Sequence, residues 1–399
     1  MQRKFLFLFS DTGGGHRAAA QAVRDELMRV YGSGAAIAMI DVLTALRRWP
    51  FDRFPAWYPA MVGLNGIPWK LGFYLSDHSA VVRLVSWWGW LYGRGALHRL
   101  LRQHPADVIV SFHAVPNYAL TLARRHLGLS QPLAVVVLDL LSAHAAWFTC
   151  DAELILTPTD AARARALRCG VPIDRVQVAG MPTRRAFMEA AAWPRAAARA
   201  HLGLPQETPV ILLVGGGDGL GPLAAVVKSL VARCPPAHLV VIAGRNQALA
   251  TVLRALPGPL QVEGFVSDMA SWMRAADLLV TKAGPNTLAE AFIVGLPMVF
   301  YAAVPGQEAG NVAYVVERGA GLWAPRPEQA AEAVLSLLSR PQARAEMAAR
   351  AASLARPEAT EFIARKLWEL AANHSGSRQA NGISPHRAQR ATGRASLHN

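Results

Sequence analysis

The sequence predicts an α/β fold of two Rossmann-like domains facing each other across a cleft. Three observations predict it. Short apolar runs alternate with amphipathic helical stretches, the pattern of parallel, doubly wound sheets. The series occurs twice, separated by an Ala/Arg/Pro-rich stretch. The apolar runs end in glycine-rich or charged residues, where sheets of this kind hold their ligands.

The first series opens with a strand over Lys4–Phe9, a helix over Arg17–Val30 and a strand over Ala35–Ile40 that ends at Asp41. Asp107–Phe112 is a strand ending at His113, and Leu133–Leu138 one ending at Asp139. The second series has strands over Val210–Val214, His238–Ala243, Leu260–Gly264, Asp277–Thr281 and Leu296–Tyr301. The division that follows is an N-terminal domain over 1–185, a linker over 186–208, a nucleotide-binding domain over 209–354 and a C-terminal helix over 355–372. Residues 373–399 are polar and lack an apolar period, which predicts a disordered basic tail.

The 399 residues, 52% of them hydrophobic, are enough for two such cores. A net charge of +14, from 41 basic and 27 acidic residues, points to nucleic acid, an acidic substrate or an anionic membrane. A bias of the genome toward Arg gives the same excess. The three cysteines, Cys150, Cys169 and Cys234, form no CxxC pair, so neither a zinc site nor a disulfide framework is expected. The apolar runs are far shorter than the roughly 20 residues of a spanning helix. No signal peptide is read at the N-terminus. These observations leave a protein that is soluble or lies on a membrane surface, with a reducing cytoplasm fitting the cysteines; a peripheral place on the cytoplasmic face of a membrane is the expectation carried forward.

Residues 49–92 stand apart. They hold six of the eleven tryptophans, Trp49, Trp57, Trp69, Trp87, Trp88 and Trp90, among prolines and basic residues. Tryptophan favours the membrane interface and Arg and Lys attract anionic headgroups, so this stretch reads as a lipid-facing surface. Ordinary core packing is the alternative.

The glycine run in SDTGGGHR (residues 10–17) formally matches a dinucleotide fingerprint through Gly13, Gly15 and Ala18, with Asp41 ending the second strand. His16 crowds the turn a pyrophosphate would approach. In the other reading, Gly14 and Gly15 make room for a substrate, and His16, at a helix N-terminus, stays neutral and serves as a general base. In TKAGPNTLAEA (281–291), Gly284 and Pro285 precede a helix whose first N–H groups, around Asn286 and Thr287, suit a diphosphate. Glu290 lies one turn in, placed to accept ribose hydroxyls. GGGDGLGP (215–222), with Gly216 and Gly217, is a second anion-friendly turn without a P-loop ending. Arg245 and Lys282 can meet phosphate, and Gln307 and Glu308 can read sugar hydroxyls. Together these residues describe a nucleotide-diphosphate-sugar site.

SDTGGGHR, VVLDLLSAHAAWF, GGGDGLGP, AGRN, GFVSDM, TKAGPNTLAEA and PGQEAGNVAYVVERGAG resemble the monogalactosyldiacylglycerol synthase family, in order from about Lys4 to Gly321. These are inverting glycosyltransferases of the two-domain GT-B type, related to the transferase that adds GlcNAc in making lipid II. The resemblance implies transfer of a hexose, galactose in preference to glucose, from a UDP-sugar to the hydroxyl of diacylglycerol. It implies His16 as base and Asp139 as acid, with a His16–Asp139 pairing as a further expectation. Phe265 and Val266 would meet uracil, and Glu290 the ribose. Gly284 to Thr287, with Arg245, would surround the diphosphate, and Gln307 and Glu308 the sugar. His113, His144, Trp147 and the Trp87, Trp88, Trp90 group would lie on the acceptor side. Two departures stand out: Leu138 where the family commonly has Thr, and Asn286 where plant relatives have Gly. There is no DxD motif, so no metal and no cofactor beyond the UDP-sugar co-substrate is expected.

Three other readings stay open: an NAD-dependent dehydrogenase, a UDP-sugar epimerase of the same architecture, and a basic nucleic-acid-binding protein. No nucleic-acid module is recognised, so no nucleic-acid partner is expected.

Overall fold

The structure, a computed structural model, describes residues 2–12, 14–54, 56–57, 61, 67–216, 222–233 and 235–380. It contains two six-stranded sheets. The first comprises β1 (Arg3–Phe9), β2 (Ala35–Asp41), β3 (Val108–Ser111), β4 (Leu133–Val136), β5 (Leu154–Thr157) and β6 (Val176–Val178), in the order β2-β1-β3-β4-β5-β6. The second comprises β7 (Val210–Val214), β8 (His238–Ile242), β9 (Leu260–Glu263), β10 (Leu278–Lys282), β11 (Met298–Ala302) and β12 (Gly321–Trp323), in the order β12-β11-β10-β7-β8-β9. Every pairing is parallel.

Parallel sheets carry helices on both faces, so their central strands read as unbroken apolar runs. Phe5 to Phe9 of β1 and Val210 to Val214 of β7 are buried throughout. The strand order reverses between β1 and β3 in the first sheet and between β7 and β10 in the second. Crevices at such reversals are where open sheets bind ligands. The segments that leave these four strands hold His16, His113, Gly216 and Gly284.

Two boundaries differ from the sequence reading. The stretch 186–208, read as a linker with a short helix, carries two. It folds into helices Arg185–Ala192 and Arg195–His201, which pack on the second domain's helices Met269–Ala275 and Pro285–Val294. Buried Asp277 fixes this join by accepting from Arg195, Arg199 and the Val210 backbone N–H. The C-terminal helix runs over Ala359–Ala380, eight residues into the stretch read as tail. It packs on the first domain's helix Gly15–Tyr31, where Trp368 stacks on Tyr31 with ring centroids 3.9 Å apart. The rest of the proposed tail lies outside the described residues.

Candidate active site

At the first switch point, Gly14 adopts φ +80°, a left-handed conformation that glycine reaches without a Cβ clash. It turns the chain into the helix Gly15–Tyr31, whose second residue is His16. His16 Nδ1 lies 2.7 Å from the Phe112 carbonyl at the end of β3. A carbonyl only accepts, so Nδ1 carries the proton and Nε2 keeps a lone pair. Burial is the main cause that lowers the His16 pKa to about 4, against the smaller opposing pulls of the Phe112 bond and Asp11. The imidazole is therefore neutral and basic at Nε2.

His113 packs edge-on against His16, with centroids 4.6 Å apart. Its Nδ1 accepts from the Val115 N–H at 3.3 Å, so its Nε2–H faces the Thr12 hydroxyl at 3.4 Å. Burial holds it neutral. His113 is thus a buried wall behind His16 rather than a group presented to an acceptor.

Asp139 does not pair with His16. It is buried, and Trp147 donates its indole N–H to Asp139 Oδ2 at 2.6 Å. The Trp147 ring that holds Asp139 also packs beside His16, with ring centroids 6.1 Å apart. Burial pushes Asp139 up to about 7, opposed by the Trp147 bond, with the neighbouring Glu308 charge adding to the rise. Trp147 itself is 1% exposed, so it supports Asp139 and does not line an acceptor surface. His144 caps the turn at Ala145–Trp147 through Nδ1, leaving its Nε2–H to the Phe73 carbonyl and the Ser76 hydroxyl at 3.2 and 3.1 Å. It clamps the helix Ile67–Ser76 to the end of the first sheet.

The second domain faces these groups. Gly284 caps the helix Pro285–Val294, and Pro285 sits at its first position, where its missing N–H costs nothing. The N–H groups of Asn286 and Thr287 belong to the unsatisfied first turn. Gly216 turns at φ +77° beside the Lys282 side chain, and Gly217 lies outside the described residues. Arg245 stands 5.6 Å from the centroid of the exposed Phe265 ring, and its guanidinium also approaches Gly14. Val266 is half-buried next to Phe265. Glu290 is pushed up to about 7 by burial, partly offset by Arg184.

Lys282 and Glu308 are both engaged. Lys282 Nζ donates to Glu308 Oε1 at 2.6 Å, and Glu308 Oε2 accepts the Val304 N–H at 2.9 Å. Glu308 is 5% exposed and braces the 304–308 turn through these two bonds. Gln307 reaches the first domain twice: its carbonyl accepts from Ser142 Oγ at 2.8 Å and its side chain bonds Asp139. Gly306, at φ +80°, lets the turn before Gln307 approach Phe73 of the first domain, since a Cβ there would stand 2.8 Å from the ring. Sequence reasoning missed Phe112, Ser142 and Phe73. The first acts through its backbone, which carries no residue signal; the other two act only once the domains are apposed.

The aromatic stretch divides. Ile67, Leu71, Tyr74 and Leu75 are exposed on one face of the helix Ile67–Ser76. Leu84, Val85, Trp88 and Tyr92 are exposed at helical spacing on the helix Ser79–Gln103, with Trp87 beside them. Trp90 is not part of this face: it packs inward against His126 and His98. Among the described residues, no helix is long and apolar enough to cross a membrane. Asp41 is spent as a helix cap to Leu43 and Thr44 and as acceptor for the Asp11 N–H, which leaves the dinucleotide reading without its ribose ligand.

A family profile described as monogalactosyldiacylglycerol (MGDG) synthase matches residues 16–183, and one described as glycosyltransferase family 28 C-terminal domain matches residues 210–363. The chain is 34% identical over 387 residues to a probable monogalactosyldiacylglycerol synthase of Glycine max, covering 94% of this chain and 72% of the relative. It is 33% identical to monogalactosyldiacylglycerol synthase 1 of Arabidopsis thaliana, covering 92% and 71%. Its fold is similar to Acinetobacter baumannii MurG (TM-score 0.56, 19% identity, 92% of this chain and 99% of that one). It is also similar to Neisseria meningitidis UDP-GlcNAc 2-epimerase (TM-score 0.57, 13% identity, 92% and 100%). Anabaena Alr3699/HepE, solved in complex with UDP and glucose, matches with TM-score 0.53 at 16% identity, covering 93% and 100%. Transferases and an epimerase thus share the architecture, and the sequence relatives separate them. The chain belongs to the monogalactosyldiacylglycerol synthase family and is a glycosyltransferase of the GT-B fold.

Proposed function

We propose that the enzyme transfers a hexose, galactose in preference to glucose, from a UDP-sugar to the free hydroxyl of diacylglycerol, with inversion, at the cytoplasmic surface of a membrane. The observation that carries the reading is the bond from His16 Nδ1–H to the Phe112 carbonyl. It leaves a neutral Nε2 at one switch point, opposite the helix N-terminus of the other. The names of the sequence relatives support the acceptor and the sugar, and the UDP-bound neighbours support the donor.

In the proposed step, His16 Nε2 takes the hydroxyl proton as the acceptor oxygen bonds to the anomeric carbon. The bond from that carbon to the β-phosphate oxygen breaks, and UDP leaves with the electron pair. The first-turn N–H groups of the helix Pro285–Val294, with Arg245, stabilise the charge that develops on the diphosphate. Lys282 joins them once the diphosphate draws it from Glu308. Glu290 receives the ribose and Phe265 with Val266 the uracil. A base lowered to about 4 is weak, and the anionic donor raises it toward the range where proton transfer is efficient. The exposed apolar faces around Trp88 and Leu71 supply the membrane contact.

The test is incubation with diacylglycerol vesicles and labelled UDP-galactose or UDP-glucose, followed by identification of the lipid product and its anomeric configuration. A β-linked monohexosyl lipid is expected. Absence of glycolipid from both donors, or an α-linkage, refutes the reading.

A further inference from the structure

The loop that carries His16 is held from the opposite domain. Asn286 Nδ2 donates to the Gly15 carbonyl at 2.9 Å, a bond spanning 271 residues of sequence. Asn near a helix start ordinarily bonds its own backbone, but Gly284 already occupies the cap position here and the Asn286 amide crosses the cleft. The peptide it grips immediately precedes His16. The imidazole is thus fixed at two points: its ring by Phe112 in the first domain and its backbone by Asn286 in the second.

We propose that Asn286 is a positioning residue that latches the base loop to the helix that receives the diphosphate. This rests on the proposed function and adds to it a dependence of base placement on domain apposition. The backbone N–H of residue 286 serves the donor whatever the side chain, so donor binding and base placement separate at this position. A displacement of about 1 Å at a reacting group can cost on the order of a hundredfold in rate, and loss of one latch among several interdomain contacts should cost less.

The experiment compares wild type with N286A and N286Q, measuring kcat and KM for the UDP-hexose with diacylglycerol, UDP affinity by calorimetry, and Tm. The expected result is a kcat reduced roughly tenfold in N286A, with UDP affinity within about twofold of wild type, Tm unchanged, and part of the kcat restored in N286Q, whose amide offers the same donor. An unchanged kcat in N286A overturns the latch. So does a parallel loss of UDP affinity, which would make Asn286 a donor contact only. A wild-type enzyme that binds no UDP would instead overturn the functional reading on which the latch depends.

Discussion

Trp147 donates its indole N–H to Asp139 at 2.6 Å, and this buried bond decides where the carboxylate points. The sequence suggests a pairing with His16, yet the carboxylate bonds Trp147, whose ring packs beside His16. Trp147→Phe keeps most of the apolar volume and removes the donor. An acceptor left buried without its donor costs about 1–3 kcal/mol, and Asp139 loses a bond that favours its charged form. We expect the Asp139 pKa to rise further, kcat to fall about tenfold, and the limb of the kcat profile that Asp139 sets to move to higher pH. Kinetics across pH 5–9 check this, and an unmoved profile would leave Trp147 a packing residue only.

Asp139 should also trade stability for activity. Its pKa rises from 3.8 to about 7 on folding, with burial as the main cause. Between those values the native state holds a proton that the unfolded chain has released. Stability from this group is fully present below the unfolded value and is lost as pH rises through about 7. Asp139→Asn keeps an acceptor for Trp147 without the buried charge. Its Tm should exceed wild type by roughly 2–4 °C at pH 8 and match it near pH 4, while kcat falls about a hundredfold. Scanning calorimetry at both pH values is the check. A variant less stable at pH 8 would contradict the assigned desolvation.

His16 carries the largest predicted kinetic effect. His16→Ala should lower kcat by roughly 10²–10⁴ and leave UDP affinity nearly unchanged, because the donor contacts lie in the other domain. Its pKa is lowered from 6.5 to about 4, so the free enzyme holds the competent neutral form above that value. The kcat/KM profile reports the free enzyme and kcat the donor complex. In Asp139→Asn, where no limb comes from Asp139, the limb set by His16 should therefore lie at higher pH in kcat than in kcat/KM. Coincident limbs would mean that the bound diphosphate does not reach the imidazole.

Much of this arrangement was legible in sequence. Phe5 to Phe9 and Val210 to Val214 announced buried parallel strands because both faces of such strands are apolar. Glycines next to His16 and Lys282 announced the switch-point loops. Strands Val176–Val178 and Gly321–Trp323 have three residues each, too short to stand out by pattern, and Leu154–Thr157 was also missed. The side-chain partnerships were hidden for a different reason. Asp139 with Trp147, Lys282 with Glu308, and Asn286 with Gly15 are all set by tertiary approach. A motif names the residue type at a strand end but not which neighbour will claim its charge. Trp90 shows the same limit: its neighbours Trp87 and Trp88 are exposed, and a helix sends the next residue but one to another face.

That division of the tryptophans makes the membrane contact testable. Trp87 and Trp88 lie on the exposed face of the helix Ser79–Gln103, near exposed Arg83 and Arg94, while Trp90 packs against His126. Interfacial indoles bind at the headgroup level and nearby cations add attraction to anionic lipid. The double variant Trp87→Ala, Trp88→Ala removes apolar area that is already exposed, so Tm should change little. Its partitioning onto vesicles containing anionic lipid should fall by roughly tenfold, and the residual binding should weaken further with added salt. Turnover of a short-chain, soluble diacylglycerol should be retained, since neither indole contacts His16 or Asp139 in the structure. Trp90→Ala should do the opposite, lowering Tm by removing packed volume between two helices with no selective loss of vesicle binding. Sedimentation with vesicles, run beside activity on the soluble acceptor, separates the two. If the double variant sediments like wild type, the apolar faces around Leu71 and Leu84 hold the membrane without the tryptophans, or the surface faces something other than lipid.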